Sequence, residues 1–350
     1  MHYGIRGPLL EWTSSFLIGR EQCVVVDGKA SKLTNVLSGV PQGTVLGPLF
    51  FLIYINDISK NLSVGTKIRL FADDSLLYRP IRSAKDCEIL QNDLNTLQKW
   101  EKLWKMEFHP GKCHLLQISN KRNPINFVYS IHNTALSKVD SAKYLGVLID
   151  SKLNWKKQYS SLISSCKKTL SFIRRNLPKA PLKVKEQCYK TLIRPKLEYA
   201  CPVWDPCYKI HIDSIEKVQK AAARFVTGNY RMEAGNTSKN LNSLGWDTLE
   251  ERRLKTKLTI FQKGRLGDID IPTDHLALVT RSTRRGGGGP TYQKEFSNVE
   301  AHRSSFYPST TRLWNKLPVE LKTCDNIDFF TNKIKNINIS ELRHNLLTID

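Results

Sequence analysis

The sequence lacks an apolar run long enough to cross a membrane. Its longest apolar stretch, Val45–Ile55, has about 11 residues and contains Gly47 and Pro48, whereas a membrane-spanning helix needs about 20. The N-terminal residues also lack the basic start and long apolar run of a secretory signal peptide. These absences argue against a membrane or secreted protein and favour an intracellular one, in the nucleus or the cytoplasm.

The sequence also lacks closely spaced cysteine pairs. Eight cysteines are scattered over the 350 residues, a distribution that predicts reduced thiols rather than a disulfide framework. Cys201, Cys207 and His211 are close enough in sequence to suggest a zinc site. No fourth ligand is evident, however, so core packing is the better interpretation of these three residues.

Acidic residues are scarce. The chain has 32 Asp and Glu against 54 Lys and Arg, a net charge of +22, which favours a polyanionic partner over a small metabolite. Residues 151–190 hold eleven basic side chains and one acid, Glu186, over an apolar helical periodicity. A basic helix that contacts a phosphate backbone is therefore favoured, and a solvated helix face is the alternative. The basic residues proposed for such contacts are Lys156, Lys157, Lys167, Lys168, Arg174 and Arg175.

Periodicity and turn residues predict an α+β fold. The predicted helices are Pro8–Ile18, Leu49–Ile58, Ala84–Phe108 and, further on, 182–198, 210–228 and 241–266. The predicted strands are Cys23–Asp27, two strands within Lys67–Tyr78, Lys112–Ser119, Asn126–Ile131 and Lys143–Ile149. The predicted domains are 1–150 (mixed α/β), 151–270 (basic and helical), 271–304 (a linker that includes the glycine-rich segment 284–290) and 305–350 (a helical tail).

The most informative residues for chemistry are Phe71-Ala72-Asp73-Asp74, between two apolar strands. Adjacent carboxylates repel each other, and a cation neutralises them. Oxygen ligands suit Mg²⁺, which binds through one or two carboxylates plus substrate phosphates. A solvated Asp-Asp turn is the alternative interpretation.

A glycine-rich segment, Ser38–Leu49, lies about 25 residues upstream of these acids. Gly39, Gly43 and Gly47 allow the backbone to approach a ligand closely, and Gln42 supplies hydrogen-bond donors and acceptors. Together, the loop, the apolar helix after it and the acidic hairpin favour a nucleotide-handling site over simple packing.

These motifs resemble the reverse transcriptases of non-LTR (LINE-type) retrotransposons of the jockey-like and chicken-repeat-like groups. The resemblance implies a partial polymerase palm at 1–150, a thumb-like region at 151–270 and two-metal nucleotidyl transfer with Mg²⁺ or Mn²⁺ as cofactor. It implies an RNA template, a DNA primer and deoxynucleotides as partners, and indicates no membrane and no specific protein partner. It implies metal binding by Asp73 and Asp74, and nucleotide or template contacts by Gly39, Pro41, Gln42, Gly43, Phe71 and Ala72.

Further motifs fit the same family. His109-Pro110-Gly111-Lys112 is similar to the motif whose lysine, here Lys112, lies near the nucleotide phosphates. Lys143–Val147 resembles the primer-grip strand, with Tyr144, Leu145 and Gly146 in the grip. Arg194–Ala200 and Ile215–Phe225 resemble the helical region that follows the palm. The motifs Leu244–Trp246, Glu250–Arg253 and Ser305–Pro318 are similar to the tail of the family and imply packing and nucleic-acid contact.

The sequence departs from the family pattern at its start. The family has fingers and a palm strand with a third metal-binding Asp, and neither matches a segment of these 350 residues. Asp27 and Asp57 are poor substitutes, because one precedes a turn and the other ends a helix. We therefore expect the isolated chain to be inactive as a polymerase. The alternatives are a non-catalytic nucleic-acid-binding remnant and a degraded reading frame that makes no stable protein.

Overall fold

The computed structural model describes residues 4–231, 233, 235–279, 289–339 and 341–342. The chain divides into two compact units, one formed by Met1–Leu115 and Lys121–Val139, the other by Leu116–Asn120 and Asp140–Asp350. Helices and small sheets occur in both units, which agrees with the predicted α+β class. Most of the glycine-rich part of the predicted linker, at 280–288, and the last eight residues of the tail lie outside the described residues.

The first unit is a mixture of helices and short strands. Its elements are α1 (Pro8–Leu17), β1 (Glu21–Gln22), β2 (Val25–Val26), β3 (Lys29–Ala30), β4 (Thr34–Asn35), α2 (Leu46–Ile55), β5 (Lys67–Phe71), β6 (Asp74–Tyr78), α3 (Ala84–Trp104), a 3₁₀ turn (Pro110–Lys112), β7 (His114–Leu116), β8 (Ser130–Ile131), β9 (Thr134–Ala135) and β10 (Ser137–Val139). The strands pair two by two, β1 with β4, β2 with β3, β5 with β6, β7 with β10 and β8 with β9.

Helix α3 contributes to both apolar clusters of the first unit and supplies half of their buried side chains. Its buried apolar side chains recur at helical spacing, as predicted: Cys87, Leu94, Leu97 and Trp100. A capping box between Ser83 and Asp86 satisfies the first backbone amides of the helix. The helix ends about one turn before the predicted Phe108, because Lys105 adopts a left-handed conformation with φ of 54°.

The second unit is mainly helical. Its elements are β11 (Ser141–Tyr144), β12 (Val147–Asp150), α4 (Lys156–Asn176), α5 (Leu182–Cys188), a π-helical segment (Tyr189–Ile193), α6 (Arg194–Glu198), α7 (Cys201–Trp204), α8 (Lys209–Thr227), α9 (Asn236–Ser243), α10 (Leu249–Leu266), α11 (Glu300–Arg303), α12 (Phe306–Trp314), α13 (Val319–Lys322) and α14 (Ile327–Ile334). The buried stripe of α4 is the one expected from its periodicity: Leu162, Cys166, Leu170 and Ile173.

Two predicted elements are wrong because of a local turn. The predicted strand Lys143–Ile149 is a hairpin, since Leu145 and Gly146 both adopt positive φ and reverse the chain between β11 and β12. The predicted helix at 241–266 is two helices. Gly245, with φ of 61°, separates them, and the Thr248 side chain caps the second by accepting a hydrogen bond from the backbone of Glu251.

A buried ion-pair network lies inside the second unit. Arg253 Nε donates to Asp205 Oδ1 over 3.0 Å, and Lys257 Nζ donates to Asp205 Oδ2 over 3.3 Å and to Ser309 Oγ over 2.7 Å. Arg252 pairs with Glu198. The Arg252–Glu198 pair joins the helical segment that begins at Arg194 to the tail motif Glu250–Arg253, and the structure gives these charged residues a role in packing.

Candidate active site and nucleic-acid interface

The acidic motif lies at the tip of the β5–β6 hairpin. Phe71 pairs with Asp74 across the two strands, so Ala72 and Asp73 form a two-residue turn. Ala72 has a φ of 50°, a value that two-residue hairpin turns usually assign to glycine at this position. A non-glycine residue held in this way is the kind of local strain that accumulates at functional sites.

Both carboxylates at this tip are exposed. Asp73 is the second turn residue and Asp74 is the first residue of β6. Among the described residues, neither side chain accepts a hydrogen bond or forms an ion pair. Two adjacent, unneutralised carboxylates are suitable oxygen ligands for Mg²⁺. The described residues contain no group of three or more His, Cys, Asp or Glu side chains that could hold a metal ion.

Neither of the other two acids considered joins this pair. Trp100 Nε1 donates to Asp57 Oδ1 over 2.7 Å, so Asp57 anchors the chain after α2 to helix α3. Asp27 is an exposed turn residue of a different hairpin, β2–β3, with a φ of 50°. The structure therefore assigns a local structural role to both.

The two faces of the β5–β6 hairpin differ in burial. Ile68, Leu70 and Leu77 pack against the cluster formed with α2 and α3. The opposite face, which carries Asp74, exposes apolar side chains: Phe71 is 64% exposed and Tyr78 is 39% exposed. Among the described residues β5 and β6 pair only with each other. The face with the acid is therefore open to a ligand or to another polypeptide segment.

The glycine-rich loop is held at both ends. Arg20 Nη2 donates to the carbonyl of Gly39 over 2.6 Å, and Gly39 and Gly43 have φ values of 79° and 77°. At the other end, a Cβ on Gly47 would lie 2.8 Å from the carbonyl oxygen of Pro41. Glycine is therefore required at position 47, where α2 packs against the loop backbone. No local sequence pattern indicated Arg20, because it contacts a carbonyl 19 residues away.

Gln42 and Lys112 are available for a ligand in the first unit. Gln42 is exposed in the loop beside the half-buried Pro41. Lys112 ends the 3₁₀ turn that begins at Pro110, and its side chain is also exposed. Neither side chain makes a hydrogen bond within the described residues, so both could donate to an anionic or amide-bearing substrate.

The residues assigned to a primer grip lie in the second unit. Tyr144 is the last residue of β11, and Leu145 and Gly146 form the turn before β12, with φ values of 43° and 82°. Gln158 of α4 holds the base of this hairpin by accepting a hydrogen bond from the backbone of Leu148 over 2.9 Å. The grip residues are thus a tight turn rather than the interior of a strand.

The six basic residues proposed for backbone contacts differ in what their side chains contact. Lys167, Lys168 and Arg175 line a groove of about 640 Å³ along α4. Arg174 Nη2 instead donates to the carbonyl of Ala221 over 2.6 Å, and Lys157 Nζ donates to Ser141 Oγ over 3.0 Å. Lys156 is exposed at the start of the helix. Three serines of the same helix complete the groove: Ser160, Ser164 and Ser171.

Sequence reasoning missed these serines. Their spacing matches that of the lysines on one face of a helix, so the helical periodicity could have identified them. A hydroxyl can donate to a phosphate oxygen, and hydroxyl and cationic side chains together are typical of backbone contacts to nucleic acids. The groove can therefore bind a polyanion without reading bases.

In the part of the chain that the structure describes, the cysteines form no disulfide, and Cys201 lies deep in the core. Cys201 is fully buried, and burial raises the pKa of its thiol to about 12. All eight cysteines are free. Among the described residues no helix is both long and apolar enough to cross a membrane.

A comparison with known protein families identifies residues 2–149, which include almost all of the first unit and of the β11–β12 hairpin. Residues 2–149 match the family described as reverse transcriptase (RNA-dependent DNA polymerase). These residues form a reverse transcriptase domain. The resemblance inferred from the loop and the acidic turn is confirmed at this level.

The related reverse transcriptases come from mobile elements of insects. The chain is 28% identical over 228 residues to the probable RNA-directed DNA polymerase from transposon X-element of Drosophila melanogaster, and 29% identical over 230 residues to the RNA-directed DNA polymerase from mobile element jockey of Drosophila funebris. Each match covers 63% of this chain and 25% of the relative. The reverse transcriptase domain is therefore homologous to those of non-LTR retrotransposons, and the chain spans about a quarter of the relatives' length.

The similarity also extends beyond the reverse transcriptase domain. A match over 228 residues cannot be contained in residues 2–149. A similar match, 27% identical over 227 residues, relates the chain to the probable RNA-directed DNA polymerase from transposon BS of Drosophila melanogaster. Part of the helical unit is thus shared with these relatives.

Proposed function

We propose that this chain carries part of an RNA-directed DNA polymerase in which the β5–β6 turn binds the catalytic metal ions. The single observation that carries the proposal is the strained turn that exposes Asp73 and Asp74 side by side without neutralising partners. These two side chains would hold Mg²⁺ or Mn²⁺. When bound, the metal would supply the positive charge that favours deprotonation of an attacking 3′-hydroxyl and departure of pyrophosphate.

Other residues of the first unit have roles in positioning under this proposal. The loop residues Gly39, Pro41, Gln42 and Gly43 would lie along the incoming nucleotide and the template, because two positive-φ glycines leave the backbone accessible beside an unpaired amide. Lys112 would donate to the nucleotide phosphates. In this assignment the first unit belongs to the polymerase palm.

The helical unit would serve as a thumb-like region that holds a primed template. The α4 groove supports this role, since Lys167, Lys168 and Arg175 face solvent together and have no acidic partner in the groove. The turn Tyr144–Gly146 would act as the primer grip. The substrates would be an RNA template, a DNA primer and deoxynucleotides.

The isolated 350-residue chain is expected to lack polymerase activity. Two carboxylates are adjacent at the β5–β6 turn, and no third acid joins them within the described residues. A metal clamp that lacks a ligand loses most of its ability to stabilise the transition state. Purified chain, a primed RNA template, deoxynucleotides and Mg²⁺ should give no extension. Extension that disappears in Asp73→Ala would contradict this expectation.

Metal binding at the turn can be measured without catalysis. Electron paramagnetic resonance of free Mn²⁺ should show a larger loss of signal when the chain is added to a deoxynucleoside triphosphate than with the nucleotide alone. The double variant Asp73→Asn/Asp74→Asn should lose this binding, and the control Asp27→Asn should keep it, because Asp27 is an exposed turn acid of another hairpin. Equal binding by the double variant and the control would place the metal elsewhere.

A non-catalytic nucleic-acid-binding protein is the second candidate, and the α4 groove favours it. Each neutralised phosphate contributes about 0.7 to 0.9 to the slope of log affinity against log salt concentration. Replacing Lys167, Lys168 and Arg175 with alanine should therefore reduce the magnitude of the slope by about 2 to 3. Alanine at three exposed lysines outside α4, Lys217, Lys239 and Lys335, should change the slope by less than about 1. Equal changes would refute a defined groove.

A further inference from the structure

Tyr199 contacts the tip of the β11–β12 hairpin. Its hydroxyl donates a hydrogen bond to the carbonyl of Leu145 over 2.9 Å. A Cβ built on Gly146 would lie 3.3 Å from Cε1 of the Tyr199 ring. The ring therefore packs against Gly146, and its hydroxyl holds the carbonyl of Leu145. Both contacts lie within the second unit.

The turn needs such support. Leu145 has a φ of 43°, in the left-handed region that bulky side chains avoid. A strained conformation of this kind persists only when its surroundings hold it in place. Gly146 has a φ of 82°, a conformation that L side chains rarely adopt, and a Cβ there would press closely on the tyrosine ring. The Leu145-Gly146 sequence and Tyr199 thus depend on each other.

Tyr199 is itself fixed by the helical core. Its backbone N–H donates to the carbonyl of Pro195 over 2.9 Å. Its carbonyl accepts a hydrogen bond from Trp204 Nε1 over 2.9 Å, and Trp204 is fully buried. The carbonyl of Trp204 in turn accepts from the Tyr159 hydroxyl over 3.0 Å. A continuous series of hydrogen bonds therefore leads from the turn into the core.

The buried ion pairs lie next to this series of hydrogen bonds. Asp205 follows Trp204 directly and pairs with Arg253 and Lys257. The segment Arg194–Ala200, whose chemistry was unassigned, thus supplies Tyr199, and the core acid Asp205 follows it a few residues later. Its geometry is that of a rigid support for the hairpin tip.

We propose that Tyr199 is a positioning residue that fixes the Leu145-Gly146 turn against the end of a nucleic-acid primer. The proposal rests on the primer-grip role proposed above for this turn. Tyr199 acts through the Leu145 carbonyl: with the hydrogen bond in place the turn keeps one conformation, and without it the turn can relax from its strained φ. The exposed part of the ring, 55% of the residue, lies outside these contacts.

The test compares two ligands of equal charge. One is a DNA primer on an RNA template with a recessed 3′ end, and the other is a blunt RNA–DNA duplex, shorter than the template, that contains the same total number of nucleotides; it is this total, and with it the charge, that is equal. The full chain should prefer the recessed end. Tyr199→Phe keeps the ring and removes only the hydroxyl, and loss of one such hydrogen bond should reduce the preference about threefold to tenfold. The affinity of Tyr199→Phe for the blunt duplex should not change, whereas a general loss of folding would lower the affinity for both ligands.

Matched variants separate the possible outcomes. Tyr208→Phe removes the hydroxyl of another exposed tyrosine and should keep the wild-type preference. Tyr199→Leu should lose the preference as Tyr199→Phe does. If Tyr199→Phe retains it and only Tyr199→Leu loses it, the ring stacks on the ligand and the hydrogen-bond proposal is overturned. If the wild-type chain itself shows no preference, the primer-grip assignment fails and the proposal fails with it.

Discussion

Asp205 offers the sharpest test of what holds the helical unit together. Its side chain is 2% exposed, and its partners Arg253 and Lys257 are 0% and 2% exposed. Asp205→Asn preserves the shape of the side chain and removes its charge. Two cations would then remain buried without their anion, and breaking a buried pair in this way costs about 3–5 kcal/mol. The cost exceeds that of most single substitutions.

The free energy of unfolding is measured by equilibrium unfolding in urea, monitored by circular dichroism, and Tm is measured by thermal melting. For a unit of about 200 residues, a loss of 3–5 kcal/mol corresponds to a fall of about 6–20 °C in Tm. The control is Asp213→Asn, which breaks the exposed Lys209–Asp213 pair on α8 and should cost only about 0.3–0.5 kcal/mol. If the two variants lose similar stability, the buried network does not stabilise the fold as argued here.

Three further predictions concern other parts of the chain. The backbone amides before α3 lower the pKa of Asp86 to about 2. The ionised carboxylate therefore stabilises the fold fully above about pH 4, and this stabilisation is lost as the pH falls toward 2. Asp86→Asn should accordingly lower the unfolding free energy at pH 7 and have little effect at pH 2. Gly47→Ala should force its Cβ against the carbonyl of Pro41, 2.8 Å away, cost about 1–3 kcal/mol and accelerate hydrogen exchange in the glycine-rich loop; unchanged exchange would show that the contact is not needed. Burial raises the pKa of the Cys201 thiol to about 12. Iodoacetamide should therefore modify Cys201 at least about 100-fold more slowly than the exposed Cys23. Equal rates of modification, measured by mass spectrometry, would contradict the burial of Cys201.

Local signals predicted the elements whose boundaries are set by neighbouring residues. The acidic hairpin follows from two apolar strands on either side of Asp73-Asp74, and the structure has that hairpin with its turn one residue earlier, at Ala72-Asp73. Helix α4 follows from the spacing of Leu162, Cys166 and Leu170, all of which are buried. In both cases the pattern of burial is a direct consequence of the period of the element.

Predictions failed where a single residue reversed or interrupted the chain. Alternating polarity across Lys143–Ile149 suits a strand, but the positive φ of Leu145 turns the chain back on itself. The periodicity of 241–266 suits one helix, but Gly245 and the Thr248 cap divide it. Backbone conformation at such positions depends on contacts made elsewhere in the chain, such as the one from Tyr199.

The sequence alone determined the chemistry that the chain can offer. The order of residues fixed two adjacent carboxylates, a glycine-rich loop before them and a strongly basic helix after them, because each of these features is local. Only the tertiary structure decided which basic side chains remain free, which acids serve packing and what supports the β11–β12 turn. Arg174, Asp57 and Tyr199 obtain their roles from partners 43 to 54 residues away, and contacts at that separation arise only when the chain has folded.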